Sequence, residues 1–275
     1  MKPEELTDLL AAHYLAQRKS WKREGRLYMS DLGDEGCALS KWRTLKDYPQ
    51  KPKTPGELLM FKQGDNLEEQ VADDLASILA DKTDWALVDR QTSVSITVDG
   101  EEITGKLDIL MRNVVSAELL VLEVKSKRGR AFSFLPEAKR PNICQTRGYQ
   151  DGTGATKGIL VYVDREGQNF MRAFAVEPDH DDLFAAARAL QAMRDGPAPD
   201  CMKLGYKRNS NKGADSFSLT MPWQVNWCND LECPCKKSMP SFPDGKVIAK
   251  EGPTGLVATD KQYDTLIPVL MDLLK

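Results

Sequence analysis

The sequence predicts an α/β fold, a mixed central sheet flanked by helices, and three observations carry that expectation. Short apolar or alternating stretches lie between residues 86 and 125 and again between 158 and 176, which is strand patterning. Longer segments around 57–80, 136–150 and 181–194 space their apolar residues for one helical face. Their order along the chain is helix, strands, helix, strands, helix, which builds a mixed sheet with helical layers. At 275 residues, with 41% hydrophobic and 29% charged residues, the chain has material for one large core with an elaborated periphery.

Each element has its own signal. An amphipathic helix opens the chain, with Leu6, Leu9, Leu10, His13 and Tyr14 at helical spacing. It is not a signal peptide, and no run reaches the roughly 18 apolar residues of a membrane span. The expected location is therefore cytoplasmic, with reduced cysteines. Cys37 opens a short helix through Trp42 and Leu45, and Pro52 and Pro55 break the chain. A long helix from about Glu57 to Ala80 would bury Met60, Gly64, Leu67, Val71, Leu75 and Ile78, with Glu68 beside that stripe. Strands follow at Ala86 to Arg90, Ser93 to Val98, Ile103 to Met111 and Leu119 to Lys125, with Asp99-Gly100 as a hairpin turn. The uninterrupted Leu119-Leu120-Val121-Leu122 reads as a central strand buried on both faces. A helix from about Pro136 to Gln150 precedes the strands Gly158 to Val163 and Phe170 to Val176, which turn at Glu166-Gly167. The helix Asp181 to Arg194 leads into a loop-rich stretch, Gly196 to Gly255, and a last helix covers Asp260 to Leu274. The expected organisation is an N-terminal segment 1–56, a core 57–195 and a C-terminal cysteine-containing region 196–275.

Chemistry concentrates in two segments, Gly105-Lys106-Leu107-Asp108 and Glu123-Val124-Lys125. Alternate strand residues share a face, so Glu123 and Lys125 sit together while Val124 points into the core. If the two strands pair, Asp108 and Glu123 converge at one end of the sheet beside a lysine. Converging carboxylates on rigid strands suit a hard cation such as Mg²⁺, and a water activated by that cation next to an ammonium can attack a phosphodiester. A hairpin with a solvated charged face is the competing reading, and the fully apolar strand that ends in these charges argues against it. The formal net charge of −3 neither favours nor excludes nucleic acid. Local basic stretches matter more: Lys125-Ser126-Lys127-Arg128-Gly129-Arg130, Lys139-Arg140 and Lys236-Lys237. Lys127, Arg128, Arg130, Arg140 and Arg147 are the candidate DNA-binding residues.

With those motifs in place, the chain resembles the PD-(D/E)XK nuclease superfamily, in its RecB-like exonuclease branch. Glu68, in Gly64-Asp65-Asn66-Leu67-Glu68, resembles the helical acid motif. Gly105-Lys106-Leu107-Asp108 resembles the G-x-x-D strand, Glu123-Val124-Lys125 the E-x-K strand, and Gln145-Thr146-Arg147-Gly148-Tyr149 the Q-x-x-x-Y helix. Many RecB-like members carry a histidine on the first motif helix. This chain has none there, and Glu68 instead resembles the G-x-x-x-E form of lambda-type exonucleases. The resemblance implies a restriction-endonuclease-like sheet. It also implies Mg²⁺ or Mn²⁺ held by Asp108, Glu123, the Val124 carbonyl and Glu68. Lys125 would orient the attacking water, with Gln145 and Tyr149 in positioning roles.

The same resemblance implies a second centre. In related RecB-like exonucleases one N-terminal and three C-terminal cysteines hold a [4Fe–4S] cluster that joins the chain ends. Cys37, Cys228, Cys233 and Cys235 are the candidates here, with zinc as the alternative metal and free thiols as the metal-free reading. The spacing departs from the usual Pro-Trp-x-Cys-x-x-Cys. After Pro222-Trp223, Val225 occupies the first ligand position, and the distal group reads C-x₄-C-x-C. Cys144 is expected to be a buried small hydrophobe, and Cys201 a spare.

The implied activity is metal-dependent hydrolysis of DNA from its ends, in phage or bacterial recombination or in CRISPR-linked processing. DNA is the expected partner, with a recombination or CRISPR-adaptation protein as a further one and no membrane. A structure-specific endonuclease on the same core and a non-catalytic DNA-binding scaffold are the alternatives.

Overall fold

The computed structural model describes residues 3–16, 23–33, 37–48, 52–128, 132–133, 135–167, 171–199, 205–211, 214–220 and 256–258. In chain order the first elements are α1 (Pro3–Ala16), β1 (Leu27–Tyr28), α2 (Ala38–Leu45), α3 (Pro55–Lys82), β2 (Trp85–Arg90), β3 (Ser93–Val98) and β4 (Glu101–Lys106). Then come β5 (Ile109–Asn113), β6 (Leu119–Lys127), α4 (Arg140–Thr153), β7 (Lys157–Asp164), β8 (Met171–Val176) and α5 (His180–Asp195), followed by β9 (Gly205–Asn211), β10 (Ala214–Thr220) and β11 (Leu256–Ala258). The chain divides into two units, Met1–Glu35 with Pro52–Asp195, and Gly36–Lys51 with Gly196–Lys275.

A bent hairpin organises the first unit. β3 and β4 pair antiparallel from Ser93↔Lys106 to Val98↔Glu101, closed by Asp99 and Gly100, both with positive φ as a two-residue hairpin turn requires. β2 and β5 pair from Arg90↔Ile109 to Trp85↔Asn113 with a bulge between Leu87 and Asp89. Between the two ladders the same strands stay bonded. The Gln91 N–H donates to the Asp108 carbonyl (3.1 Å) and the Leu107 N–H to the Thr92 carbonyl (3.0 Å). Gln91 takes φ 53°, and the ribbon turns there from one sheet into the other. Its outer half belongs to a three-stranded sheet, β1-β4-β3, and its inner half to a five-stranded sheet, β2-β5-β6-β7-β8. Both sheets are mixed, because β1 runs parallel to β4 and β6 parallel to β7.

This corrects the expectation of one strand from Ile103 to Met111. The chain leaves one sheet at Lys106 and enters the other at Ile109. The central position of β6 matches its apolar run, since Leu120 to Val124 are all buried between β5 and β7. One face of the large sheet packs Ile109, Met111, Leu122, Val124 and Val161 against Ala72 and Ala76 of α3. The other face carries Leu160 and Tyr162 against Phe132 and Leu135.

α3 begins two residues before the expected Glu57, because Thr54 and Glu57 form a reciprocal cap: Glu57 N–H to Thr54 Oγ1 (3.2 Å) and Thr54 N–H to Glu57 Oε2 (2.7 Å). Its buried stripe is Gly64, Ala72 and Ala76, flanked by Leu67, Val71, Leu75 and Leu79, while Ile78 is 56% exposed. The stripe thus follows the small residues that let the helix approach the sheet. α4 starts at Arg140 rather than Pro136. On α1 the leucines Leu6, Leu9 and Leu10 are exposed rather than packed. No helix among the described residues is long and apolar enough to cross a membrane.

The second unit contains α2 and a three-stranded antiparallel sheet, β11-β10-β9. The β9–β10 hairpin, Gly205↔Thr220 to Asn211↔Ala214, replaces part of the stretch expected to be loop. The expected last helix, Asp260 to Leu274, lies outside the described residues.

Candidate active site

The site is built where β5 leaves β6. β5 pairs with β6 only as far as Ile109↔Leu122, whereas β6 stays bonded to β7 on its other side as far as Lys127↔Asp164. Beyond Leu122 the β5-facing edge of β6 carries backbone groups with no strand opposite. Two side-chain carboxylates take them. Asp108 Oδ2 accepts from the Val124 N–H (2.8 Å) and Glu68 Oε1 from the Ser126 N–H (2.7 Å). In an extended strand a residue's N–H and C=O point to the same edge, so the Val124 carbonyl opens into the gap between those carboxylates.

Local sequence sets each position. Gly64, one helical turn before Glu68, brings α3 close to β6, because a Cβ there would lie 3.2 Å from Ser126 Oγ and 3.4 Å from Arg165 Nη1. Gly105 does the same for α4. A Cβ on it would stand 2.7 Å from Tyr149 Cε1 and 3.0 Å from Tyr149 Oη. The Tyr149 hydroxyl donates to the Lys106 carbonyl (2.9 Å) and accepts from Gln145 Nε2 (2.9 Å). Gln145 and Tyr149 are both buried, so this chain of bonds fixes the backbone just before Asp108. Burial, with the Glu123 charge adding to it, raises the Tyr149 hydroxyl pKa well above its ordinary value, so it stays protonated.

Glu123 and Lys125 lie on the face of β6 opposite Val124. Glu123 is 1% exposed; its Oε1 lies 2.5 Å from Lys125 Nζ, and its Oε2 has no hydrogen-bond partner. Burial pushes the Glu123 carboxyl up to about 8, with Lys125 opposing the shift and Asp108 adding to it. Burial pulls the Lys125 ammonium down, but the charge and hydrogen bond of Glu123 outweigh it and hold Lys125 above its ordinary value. Asp108 is also raised by burial, against the pull of the Val124 N–H and Lys125.

Oxygen donors only, one of them buried and unpartnered at Glu123 Oε2, are the donor set of a hard divalent cation. Among the described residues no three His, Cys, Asp or Glu side chains stand close enough together to form a closed cage. Glu68, at the Ser126 N–H, is the outer member of the group.

The other expected residues divide. Lys127 is half-buried on the Glu123–Lys125 face, its Nζ 5.7 Å above the Tyr162 ring. Arg128 is exposed, with Nη2 3.2 Å from Met60 Sδ. Arg140 and Arg147 are engaged elsewhere: both guanidiniums pair with Asp182 of α5, and Arg147 also donates to the Glu177 carbonyl (3.1 Å). Those pairs hold α4 against α5 and keep the Asp182 carboxyl below its usual range. Arg130, Cys228, Cys233 and Cys235 lie outside the described residues. Cys37 caps α2 in the second unit, and Cys144 is buried.

Sequence reasoning missed Gln91. Its Nε2 donates to Asp108 Oδ1 (3.1 Å) while its backbone N–H holds the Asp108 carbonyl. A polar residue between two strand patterns signals a turn, but nothing local ties it to an acid 17 residues on.

Neither a protein-family model nor a curated protein matches the chain. Solved structures do. The chain is similar to SSO0001, with TM-score 0.50 and 19% identity over 84% of this chain and 97% of that one. That likeness is one of fold. The chain is also similar to the alkaline exonuclease LHK-Exo from Laribacter hongkongensis, with TM-score 0.41 and 14% identity over 67% of this chain and 94% of that one. A phage-related exonuclease from Haemophilus somnus 129PT gives 0.39 and 16%, over 57% and 76%.

Proposed function

We propose that this protein is a divalent-metal-dependent deoxyribonuclease of the PD-(D/E)XK type that hydrolyses phosphodiester bonds at DNA ends. The observation that carries the reading is the open edge of β6, where Asp108 and Glu68 take the Val124 and Ser126 N–H groups next to the buried Glu123–Lys125 pair. Asp108, Glu123 and the Val124 carbonyl would hold Mg²⁺ or Mn²⁺, with Glu68 behind them. Bound there, the cation supplies Lewis acidity toward the phosphodiester and a more acidic water.

The chain's own groups do the rest. Lys125 presents a cation, 24% exposed at its side chain, to the charge that develops on the phosphoryl oxygens, and Glu123 fixes its position. Asp108 is held by fixed donors on both oxygens, so its orientation is set before substrate arrives. The Gln145–Tyr149–Lys106 chain keeps that strand end in place and moves no proton.

The preference for ends over internal sites, and a setting in phage or bacterial recombination or CRISPR-linked processing, belong to this proposal through the RecB-like motifs. So does a [4Fe–4S] or zinc centre at Cys37, Cys228, Cys233 and Cys235, which rests on the sequence resemblance alone, the last three lying outside the described residues. The test is cleavage of end-labelled linear DNA beside closed circles, with Mn²⁺, Mg²⁺ or Ca²⁺, and Asp108→Ala as control. Degradation of linear DNA alone, with Mn²⁺ or Mg²⁺ and lost in the variant, is expected. Cut circles would make it an endonuclease, and binding without cleavage under every metal would make it a scaffold.

A further inference from the structure

We propose that Lys127 is the anchor for the phosphate next to the scissile one, so that the substrate strand runs along the far end of β6. The inference rests on the nuclease reading and adds the direction of the strand to it. Glu123, Lys125 and Lys127 alternate along β6 and therefore share one face. Two residues of extended strand span about 6.6 Å, the scale on which successive phosphates follow one another along a nucleic-acid strand.

The two lysines differ in their partners. Lys125 has the Glu123 carboxyl group at 2.5 Å. Lys127 makes no ion pair with any described residue, although it is half-buried. Its Nζ lies 5.7 Å over the ring of Tyr162, which is itself fixed, since its hydroxyl accepts from the Lys139 N–H (3.1 Å) and Asn142 Nδ2 (2.7 Å). The Arg165 N–H bonds the Lys127 carbonyl (2.8 Å), while its guanidinium reaches α3, where Nη1 donates to the Met60 carbonyl (3.4 Å) beside Gly64. Burial and the charges of Lys139, Lys125 and Arg165 all work against the Lys127 ammonium, with only Glu68 in its favour. A cation kept on a rigid platform among like charges is stabilised when an anion arrives, and the anion that also reaches Lys125 is a phosphodiester backbone.

The test is a double-perturbation cycle on a single-stranded oligonucleotide. One neutral methylphosphonate replaces either phosphate flanking the scissile bond, or a distant one, and Kd in Ca²⁺ and KM in Mn²⁺ are measured. In the wild type, a methylphosphonate at one flanking position should weaken binding by about tenfold, the order of one charge-assisted contact. In Lys127→Gln, all-phosphate DNA should bind about tenfold more weakly, and that methylphosphonate should add nothing further. The slope of log Kd against log salt should fall by about 0.7, the value for one phosphate contact to a single strand. Lys127→Arg should restore the methylphosphonate sensitivity, which separates the contact from a folding defect. Losses that multiply at both flanking positions would overturn the assignment. So would inhibition by inorganic phosphate that disappears in Lys127→Gln while neither methylphosphonate matters, which would show a free-phosphate site. Binding that follows the expected cycle without any cleavage would refute the nuclease reading and leave the Lys127 assignment standing.

Discussion

Removing the Lys125 charge tests the electrostatics of the site without any substrate. Glu123 is 1% exposed, and Lys125 Nζ is the one described donor to its carboxylate, with Oε2 unpartnered. Lys125→Met therefore leaves either a buried unpaired carboxylate, a loss of roughly 3–5 kcal/mol, or a carboxyl that must take up a proton. Which of these holds depends on pH. Burial raises the Glu123 carboxyl from its ordinary 4.5 to about 8 in the folded protein, so between those values the folded state holds more protons than the unfolded chain. Its contribution to stability is therefore greatest at low pH and falls as pH rises through that window, by up to about 1.4 kcal/mol per unit for one proton. Near pH 6 Glu123 is protonated in both proteins, and Lys125→Met should cost about 1 kcal/mol, mainly lost packing of the lysine stem. Near pH 8.5 the wild type regains an ion pair that the variant cannot form, and because Glu123 ionises only above about 8 the gap should widen by about 0.8 kcal/mol, to about 2 kcal/mol. Adding Glu123→Gln should recover most of that gap, because the amide carries no charge to bury. Urea midpoints at the two pH values, in EDTA, measure all three proteins. Equal losses at pH 6 and 8.5, or a double variant no more stable than Lys125→Met, would refute the pairing. Mn²⁺ should flatten the wild-type slope, since a cation at the carboxylates favours their ionised forms.

Two further substitutions test how Asp108 is held. Gly105→Ala places a Cβ 2.7 Å from Tyr149 Cε1, and the ring is bonded at both sides, so it cannot swing away without losing the Lys106 carbonyl. A stability loss of about 1–3 kcal/mol and a fall in kcat exceeding the change in DNA affinity are expected; full activity would show that Tyr149 does not position the strand. Gln91→Gly relieves the positive φ at the bend but removes the donor to Asp108 Oδ1. Stability should stay within about 1 kcal/mol while Mn²⁺ affinity, read by calorimetry, drops several-fold; unchanged affinity would remove Gln91 from the site.

What the sequence showed was what periodicity and short spacing encode. Leu119 to Leu122 announced a central strand because every residue on both faces is apolar, and the Gln145–Tyr149 spacing placed both on one face of α4, where they bond. The break at Leu107-Asp108 left no such trace. Hairpin pairing keeps the same register on both sides of the bend, Ser93↔Lys106 and Arg90↔Ile109, so the apolar alternation from Ile103 to Met111 continues through it. The cause sits on the partner strand, in the positive φ of Gln91. The pairing of Arg140 and Arg147 was hidden for a related reason. Basic residues beside a motif read as phosphate contacts, but Asp182, far along the chain, neutralises both. The β9 strand was hidden because Gly205-Tyr206-Lys207-Arg208-Asn209-Ser210-Asn211 lacks apolar alternation altogether.

The bend that left no trace in the pattern is also what makes a site possible. A strand bonded on both edges offers a ligand only its side chains, since every backbone N–H and C=O is already paired. Had β5 continued straight from Glu101 to Asn113 beside β6, the Val124 and Ser126 groups would have been spent on a ladder. By turning away at Asp108, the hairpin frees one edge of β6 while β7 keeps the other edge rigid to Lys127. The residue at the turn then delivers its own carboxylate to the edge it has just uncovered. Backbone dipoles of a central strand do not reorganise, so the carboxylates they hold are oriented in advance for a cation and for the charge of a transition state. An acid placed one residue later would point into the core with the side chain of Ile109, which is fully buried. The position of Asp108 is therefore fixed by the topology of the sheet, and a one-residue insertion between Lys106 and Asp108 should abolish cation binding even though every site residue is retained.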